Sequence, residues 1–402
     1  MGTGGLSQTR LGRLHDVMAA HVERGAMPGV VTVVSRRGET YVDVIGTQAV
    51  GYDTPMRRDT LFRISSMTKP VSAVAAMILV EECRLRLDDP LDPLLPELAD
   101  RRVLKALNGP LEDTVPANRP LTLRDLLTFR MGFGALFGSP EKYPILAAAM
   151  QRGVAVGPPK PQTSPTADEY LRGLGELPLM YQPGERWLYD TGSTVLGVLI
   201  SRVTGRPLET FLRERIFEPL GMADTAFHVS AAKIDRLATS YLANPATGEL
   251  DLFDEAAGGQ WSSPPPMQAA NGGLVSTADD YLAFGTMLLN MGRHGTDRIL
   301  SRPTVQTMTT DQLTPAQKAV SGFFPGYFDN RGWGFGMSVV TGRDDVYATP
   351  GRFGWDGGLG TAWWSDPAED LVAIMLTQRA EFHPVSQPYL DFWTSVYQAI
   401  DD

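Results

Sequence analysis

Cysteine is almost absent: Cys83 stands alone in 402 residues, which excludes an intrachain disulfide and any cluster of thiolate metal ligands. Histidine is scarce as well. The five present, His15, His21, His228, His294 and His383, are scattered without ligand spacing and suit ordinary surface or hydrogen-bonded positions, with a catalytic role for one of them left open. Basic charge is in deficit. The 36 lysines and arginines against 46 aspartates and glutamates leave −10, which opposes phosphate backbones and anionic lipid, so neither nucleic acid nor a membrane is an expected partner. Long apolar runs are missing too, the longest (Val71 to Val80) being about half of what a spanning helix needs. Residues 1–25 contain no continuous apolar stretch, so no secretory leader is expected there, and Leu6 stands where a myristoylation signal starting at Gly2 has Ser or Thr. A soluble, cytoplasmic protein without a cofactor is the expectation.

What is present is a globular composition, 43% hydrophobic and 20% charged, on a chain too long for one ordinary core. Leu11, Leu14, Met18 and Val22 mark one face of an N-terminal helix that Gly25 ends. "GVVTVVSRRGETYVDVIG" (29–46) reads as a hairpin turning at Arg37-Gly38. A second β-rich region holds "GWGFGMSVV" (332–340), "GLGTAWWS" (358–365) and "DLVAIMLTQ" (370–378), and a helix over 385–400 follows. The middle differs: 121–129, 166–177, 193–205 and 208–217 have helical spacing, with Pro/Gly-rich loops between them. The pattern predicts an α+β protein, an antiparallel sheet built from both chain ends and flanked by helices, with a mainly helical domain inserted. The expected division is 1–88 with 232–402, and 89–231.

Ser-x-x-Lys occurs three times, at Ser66/Lys69, Ser139/Lys142 and Ser230/Lys233, and context separates them. Ser139 precedes a proline in the longest loop, and Ser230 opens a mixed polar segment. Only Ser66, in "RISSMTKPVS" (63–72), opens a helix that must be buried. Proline fits the first helical turn alone, so Pro70 places Ser66 at or beside the N-cap, where the helix favours developing negative charge. Lys69 then lies on the same face one turn deeper. A lysine is an acceptor only when uncharged, a state that burial, a second cation or a tyrosine network would favour. The plainer alternative is a capping serine with a lysine paired to a surface carboxylate.

At these residues the chain resembles the serine β-lactamase-like hydrolases, closest to class C β-lactamases and family VIII carboxylesterases. The resemblance runs through "DTLFRISSMTKPVSAVAAMILVEECRLRLDDPLDPLLPEL" (59–98), "LTLRDLLTFRMGFG" (121–134), "IFEPLGMADTAF" (216–227) and "GGLVSTADDYLAFGTMLL" (272–289). It implies Ser66 as nucleophile and Lys69 as its proton partner. It implies Tyr189, in "QPGERWLYDTGSTVLG" (182–197), as the family's tyrosine, with Thr191 standing where the lactamases carry asparagine, a departure that touches lactam recognition rather than catalysis. The lactamase Lys-Thr-Gly is replaced by Trp355-Asp356-Gly357-Gly358. By the same resemblance the amides of Ser66 and Leu359 form the oxyanion hole. With the motif lysine missing and Asp356 in its place, neutral esters are favoured over anionic lactams.

Phe129, Phe133, Phe137, Trp333 and Trp363 lie near the same blocks and are candidates for an apolar acyl pocket, with ordinary core positions as the alternative. No Gly-x-Ser-x-Gly elbow is present, which argues against a histidine-based α/β-hydrolase. The sequence therefore predicts a serine carboxylesterase for short or medium acyl esters, with a small-molecule ester as its partner. A β-lactamase or D-Ala-D-Ala peptidase is the enzymatic alternative, and a silent binding protein on the same fold is the non-enzymatic one.

Overall fold

The apolar stripe of Leu11, Leu14 and Met18 is buried on helix α1 (Gln8–Glu23), and Gly25 stops the chain behind it with φ 71°. The β-branched runs form strands β1 (Gly29–Arg36) and β2 (Glu39–Gly46). Arg37 (φ 51°) and Gly38 (φ 80°) link them, the pair of positive φ values that a two-residue hairpin turn of the right twist demands. The computed structural model describes residues 4–244, 246–380 and 386–402, so Gly2 and His383, noted above, lie outside the described residues.

Helix α2 (Thr68–Glu81) follows Ser66 and is buried without a break from Thr68 to Leu79. The middle of the chain supplies short helices at Leu123–Leu127 and Ala167–Gly175, each opened by a capping box, Thr122 with Asp125 and Thr166 with Glu169. Helix α3 (Thr191–Thr204) comes next, then α4 (Ala278–Leu289). The C-terminal part contributes β3 (Arg331–Trp333), β4 (Ser338–Val340), β5 (Phe353–Gly357), β6 (Thr361–Asp366), β7 (Leu371–Thr377) and helix α5 (Gln387–Gln398).

These strands make one seven-stranded antiparallel sheet in the order β3-β4-β5-β6-β7-β1-β2. The N-terminal hairpin is joined to β7, with Val30 opposite Thr377 and Arg36 opposite Leu371. The protein is thus α+β, an antiparallel sheet flanked by helices with a mainly helical insertion. One strand reading changes. The stretch 332–340 folds back on itself as the β3–β4 hairpin, because Gly336 (φ 74°) turns the chain where a side chain would also collide with the Lys69 carbonyl, 2.9 Å from a Cβ placed there.

The two sheet faces are buried against different partners. Val30, Val34, Trp364 and Ala373 pack with Leu11, Leu14, Phe392 and Trp393, covering one face with α1 and α5. Val31, Val33, Phe353, Trp363 and Ile374 pack with Val71, Val74 and Phe284, covering the other with α2 and α4. The second cluster continues into the helical middle through Leu126, Leu171, Leu196 and Leu199, which roots α2 between sheet and insertion. Among the described residues no helix is long and apolar enough to cross a membrane.

Candidate active site

Ser66 sits in a single 3-10 turn (Ser65–Met67) directly ahead of α2, one residue before the N-cap, and Pro70 occupies the first helical turn. Ser65 holds φ 46°, an unusual value for a serine, and this bend carries the chain from Ile64 into the helix. The end of the β5–β6 hairpin clamps that bend. Thr361 Oγ1 donates to the Ile64 carbonyl at 3.2 Å, and Gly357 lies so close that a Cβ would come within 2.3 Å of the same oxygen.

Lys69 points inward, 1% exposed, with its Nζ 3.0 Å from Ser66 Oγ. The same nitrogen donates to the Asn271 carbonyl at 2.6 Å, meets Asp190 Oδ1 at 2.7 Å and lies 4.5 Å from the centre of the Tyr189 ring. Asn271 Nδ2 in turn donates to Asp190 Oδ2 at 2.8 Å. Tyr189 lies close enough to Ser66 for the serine to act on its phenol, and Trp355 Nε1 donates to the Tyr189 hydroxyl at 2.7 Å. Ser66, Lys69 and Tyr189 are therefore brought together. The other two Ser-x-x-Lys pairs are not sites of this kind: Lys142 lies over the Tyr143 ring, and Lys233 is paired with Asp224.

The electrostatics differ from the uncharged lysine expected above. Burial pushes the Lys69 ammonium down, but Asp190 and Tyr189 more than offset it, and the net direction is upward. Among the described residues no second cation acts on it; a carboxylate opposes. Burial likewise raises the Tyr189 phenol, Lys69 lowers it and Asp190 raises it, again with an upward net result.

Around Tyr189 stands a wall of rings. Phe129, Trp187, Phe323 and Trp355 each lie 5.1–5.6 Å from the Tyr189 ring, and Trp333 meets Trp355 edge-on at 4.6 Å. Phe129 and Trp333 thus belong to this wall. Phe137 does not line it; 66% exposed, it touches Phe323 from outside at 5.9 Å and forms an outer rim.

Three expectations are corrected. Phe133 is fully buried in the main core within the helical middle, and Trp363 packs with Tyr281, Phe284 and Phe353 under α4, so neither lines the site. Asp356 faces the opposite side of the sheet. Its carboxylate accepts from Trp364 Nε1 and from Tyr389 Oη, both at 2.9 Å, because successive strand residues alternate faces and its neighbours Trp355 and Gly357 already take the serine side. The argument that Asp356 repels anionic substrates therefore fails. Thr191, at the asparagine position, is buried beside Tyr170, and the carboxylate of the preceding Asp190 is what meets Lys69. Gly358 and Leu359 occupy the turn closed by Gly360 N–H to Gly357 O at 3.0 Å, with the Leu359 side chain buried against Leu61, Val275 and Trp261.

Asp190, Asn271, Trp187, Phe323 and Tyr327 were not singled out from the sequence. Signals existed for some of them. Asp190 adjoins Tyr189, Asn271 heads the "GGLVST" block, and "GFFPGYF" (322–328) is an aromatic run inside a turn-forming stretch.

The Beta-lactamase family profile matches residues 14–392. Protein Rv1367c of Mycobacterium tuberculosis is 40% identical over 365 residues, 89% of this chain and 87% of that protein. Esterase EstB of Burkholderia gladioli is 30% identical over 390 residues, 92% of this chain and 90% of that one. Among solved structures, EstCE1, described as a hydrolase with promiscuous acyltransferase activity, superposes with a TM-score of 0.78 at 25% identity, covering 97% of this chain and 99% of its own.

Proposed function

Because the chain belongs to the Beta-lactamase family and is a serine hydrolase, we propose that it is a carboxylesterase for uncharged esters of short or medium acyl chains, working through an acyl-enzyme on Ser66. The observation that carries this reading is the placement of the buried Lys69 Nζ 3.0 Å from Ser66 Oγ beneath the Tyr189 ring. Ser66 attacks the ester carbonyl as its proton passes to the Lys69/Tyr189 pair. The Ser66 and Leu359 amides receive the oxyanion, and Tyr189 returns a proton to the departing alkoxide. Water then releases the acid and restores Ser66.

Preference for an uncharged ester rests on charges at the serine itself. Lys69 is engaged by Asp190, and the Trp355-Asp356-Gly357-Gly358 block supplies no lysine, Trp355 turning an indole toward Tyr189 instead. The ring wall around Tyr189 supports an apolar acyl group. An acyl-enzyme beside so apolar a wall also suits capture by an alcohol, which gives transesterification as a side reaction.

The test sets p-nitrophenyl acetate, p-nitrophenyl butyrate and nitrocefin side by side, with intact-mass detection of the acyl-enzyme. Ester turnover well above nitrocefin turnover is expected, together with loss of at least ~10³-fold in Ser66→Ala. Full activity in that variant, or equal turnover of both substrate classes, defeats the proposal.

A further inference from the structure

Asp190 has an improbable backbone. Its φ of 87° and ψ of −63° put it at the centre of a γ-turn, closed by Thr191 N–H to Tyr189 O at 3.3 Å. Aspartate rarely adopts such a backbone, and strain of this kind persists where the surroundings over-determine it. The bend has one evident product. It turns the carboxylate away from α3, whose N-terminus it would otherwise cap, and delivers it to Lys69 and Asn271.

The hydrogen bonds around Lys69 fit an ammonium. Three N–H donors meet three acceptors, Ser66 Oγ, the Asn271 carbonyl and Asp190 Oδ1. A neutral amine would withdraw the ammonium charge that faces the buried Asp190 carboxylate and leave it with neutral donors such as the Asn271 amide. The other groups facing the pair do not supply a base. Tyr170, on the helix Ala167–Gly175, is a buried phenol raised by desolvation and by Asp190. Tyr327, beyond Tyr189, is likewise a raised phenol, with Arg331 over its ring and Asp356 acting across the sheet.

We propose that Asp190 is a positioning residue that holds Lys69 as the ammonium in the resting enzyme and so makes activation of Ser66 wait for alkaline pH. The inference rests on Ser66 being the nucleophile. An ammonium and a phenol are both full, so the pair must first release one proton to water; only then does it have a place for the proton leaving Ser66. Asp190 sits beside both members, so it raises the requirement whichever of them is the base, and the apparent value belongs to the pair.

The experiment follows the rate of Ser66 labelling by a fluorophosphonate against pH, alongside kcat/KM for p-nitrophenyl butyrate, in the wild type and in Asp190→Asn. The acid limb of the wild type is expected above neutrality, and Asp190→Asn is expected to move it to lower pH by ~1–3 units while labelling persists. A wild-type limb below neutrality, or a limb that stays in place in a folded Asp190→Asn, overturns the inference. Should that variant lack a cooperative thermal transition, the wild-type limb alone decides. Absence of labelling at every pH would instead sink the assignment of Ser66, which keeps the two failures apart.

Discussion

Asp356 is the residue whose surroundings most change its meaning. Next to Trp355 in the chain, it is separated from Ser66 by the thickness of the sheet and held by Trp364 and Tyr389. Burial raises its carboxyl above the ordinary aspartate range, with the Trp364 and Tyr389 hydrogen bonds acting in the other direction. A raised carboxyl contributes stability in full below its unfolded value and loses it as pH climbs through the folded one. Asp356→Asn keeps an acceptor and removes the charge. It should therefore leave ester kcat/KM within about threefold, ~0.7 kcal/mol, and match or exceed the wild-type melting temperature. That advantage should be larger at pH 8 than at pH 4, as thermal melts at the two pH values would register. A tenfold loss of activity with the melting temperature unchanged would place Asp356 back among the groups that meet substrate.

At the scale of elements, β5 shows what was legible and what was not. Local signals were reliable where a short stretch decides its own conformation. The Arg37-Gly38 turn, the α1 stripe and the buried helix behind Ser66 all follow from neighbours in sequence. The Trp355-Asp356-Gly357-Gly358 block was legible as a site strand only through resemblance, and a block match carries no face. Strand alternation assigns Trp355 to the Tyr189 hydroxyl and Gly357 to the Ile64 carbonyl, and sends Asp356 away. Trp363 is a similar case: it pairs with Trp355 across the hairpin, yet its ring falls under α4, a partner about eighty residues earlier in the chain that no local pattern announces. The γ-turn that brings Asp190 to Lys69 was equally hidden, since nothing in "LYDTG" marks a positive φ at the aspartate. The role of β5 is open to a direct test. In Gly357→Ala the new methyl would meet Ile64 O at 2.3 Å and Thr361 Oγ1 at 2.2 Å, both fixed by the hydrogen bond between them. The strand must back away from the serine turn, and a displacement of about 1 Å at a reacting centre costs ~10²-fold. A kcat reduced to that extent, with the circular dichroism spectrum retained, is the expected result; wild-type kcat would show that β5 does not position Ser66.

At the scale of the molecule, the sheet joins the two ends of the chain and separates a working end from a fastening end. Gly357 pairs with Thr361, Thr361 with Leu376 and Leu376 with Val31, so the serine turn lies at the Val31 end of β1. Arg36 is five residues further along the same strand, about 17 Å away at strand rise. There it ties the termini together: 2% exposed, its guanidinium donates to the Gly4 carbonyl and Asp402 at 2.8 Å, and to the Glu369 carbonyl and carboxylate at 3.0 and 3.1 Å. α1 packs on α5 above the same seam, so loosening it loosens the hairpin, β7 and both helices at once. Arg36→Ala should cost about 1–3 kcal/mol, toward the lower figure because Glu369 and Asp402 remain partly in water and can be rehydrated. Because the lost contacts lie at the far end of the register from Ser66, the melting temperature should drop by a few degrees while kcat/KM at 25 °C holds its wild-type value. A variant that melts normally would show that the arginine does not fasten the termini, and one that loses activity in step with stability would show that the two ends of the sheet are coupled rather than divided.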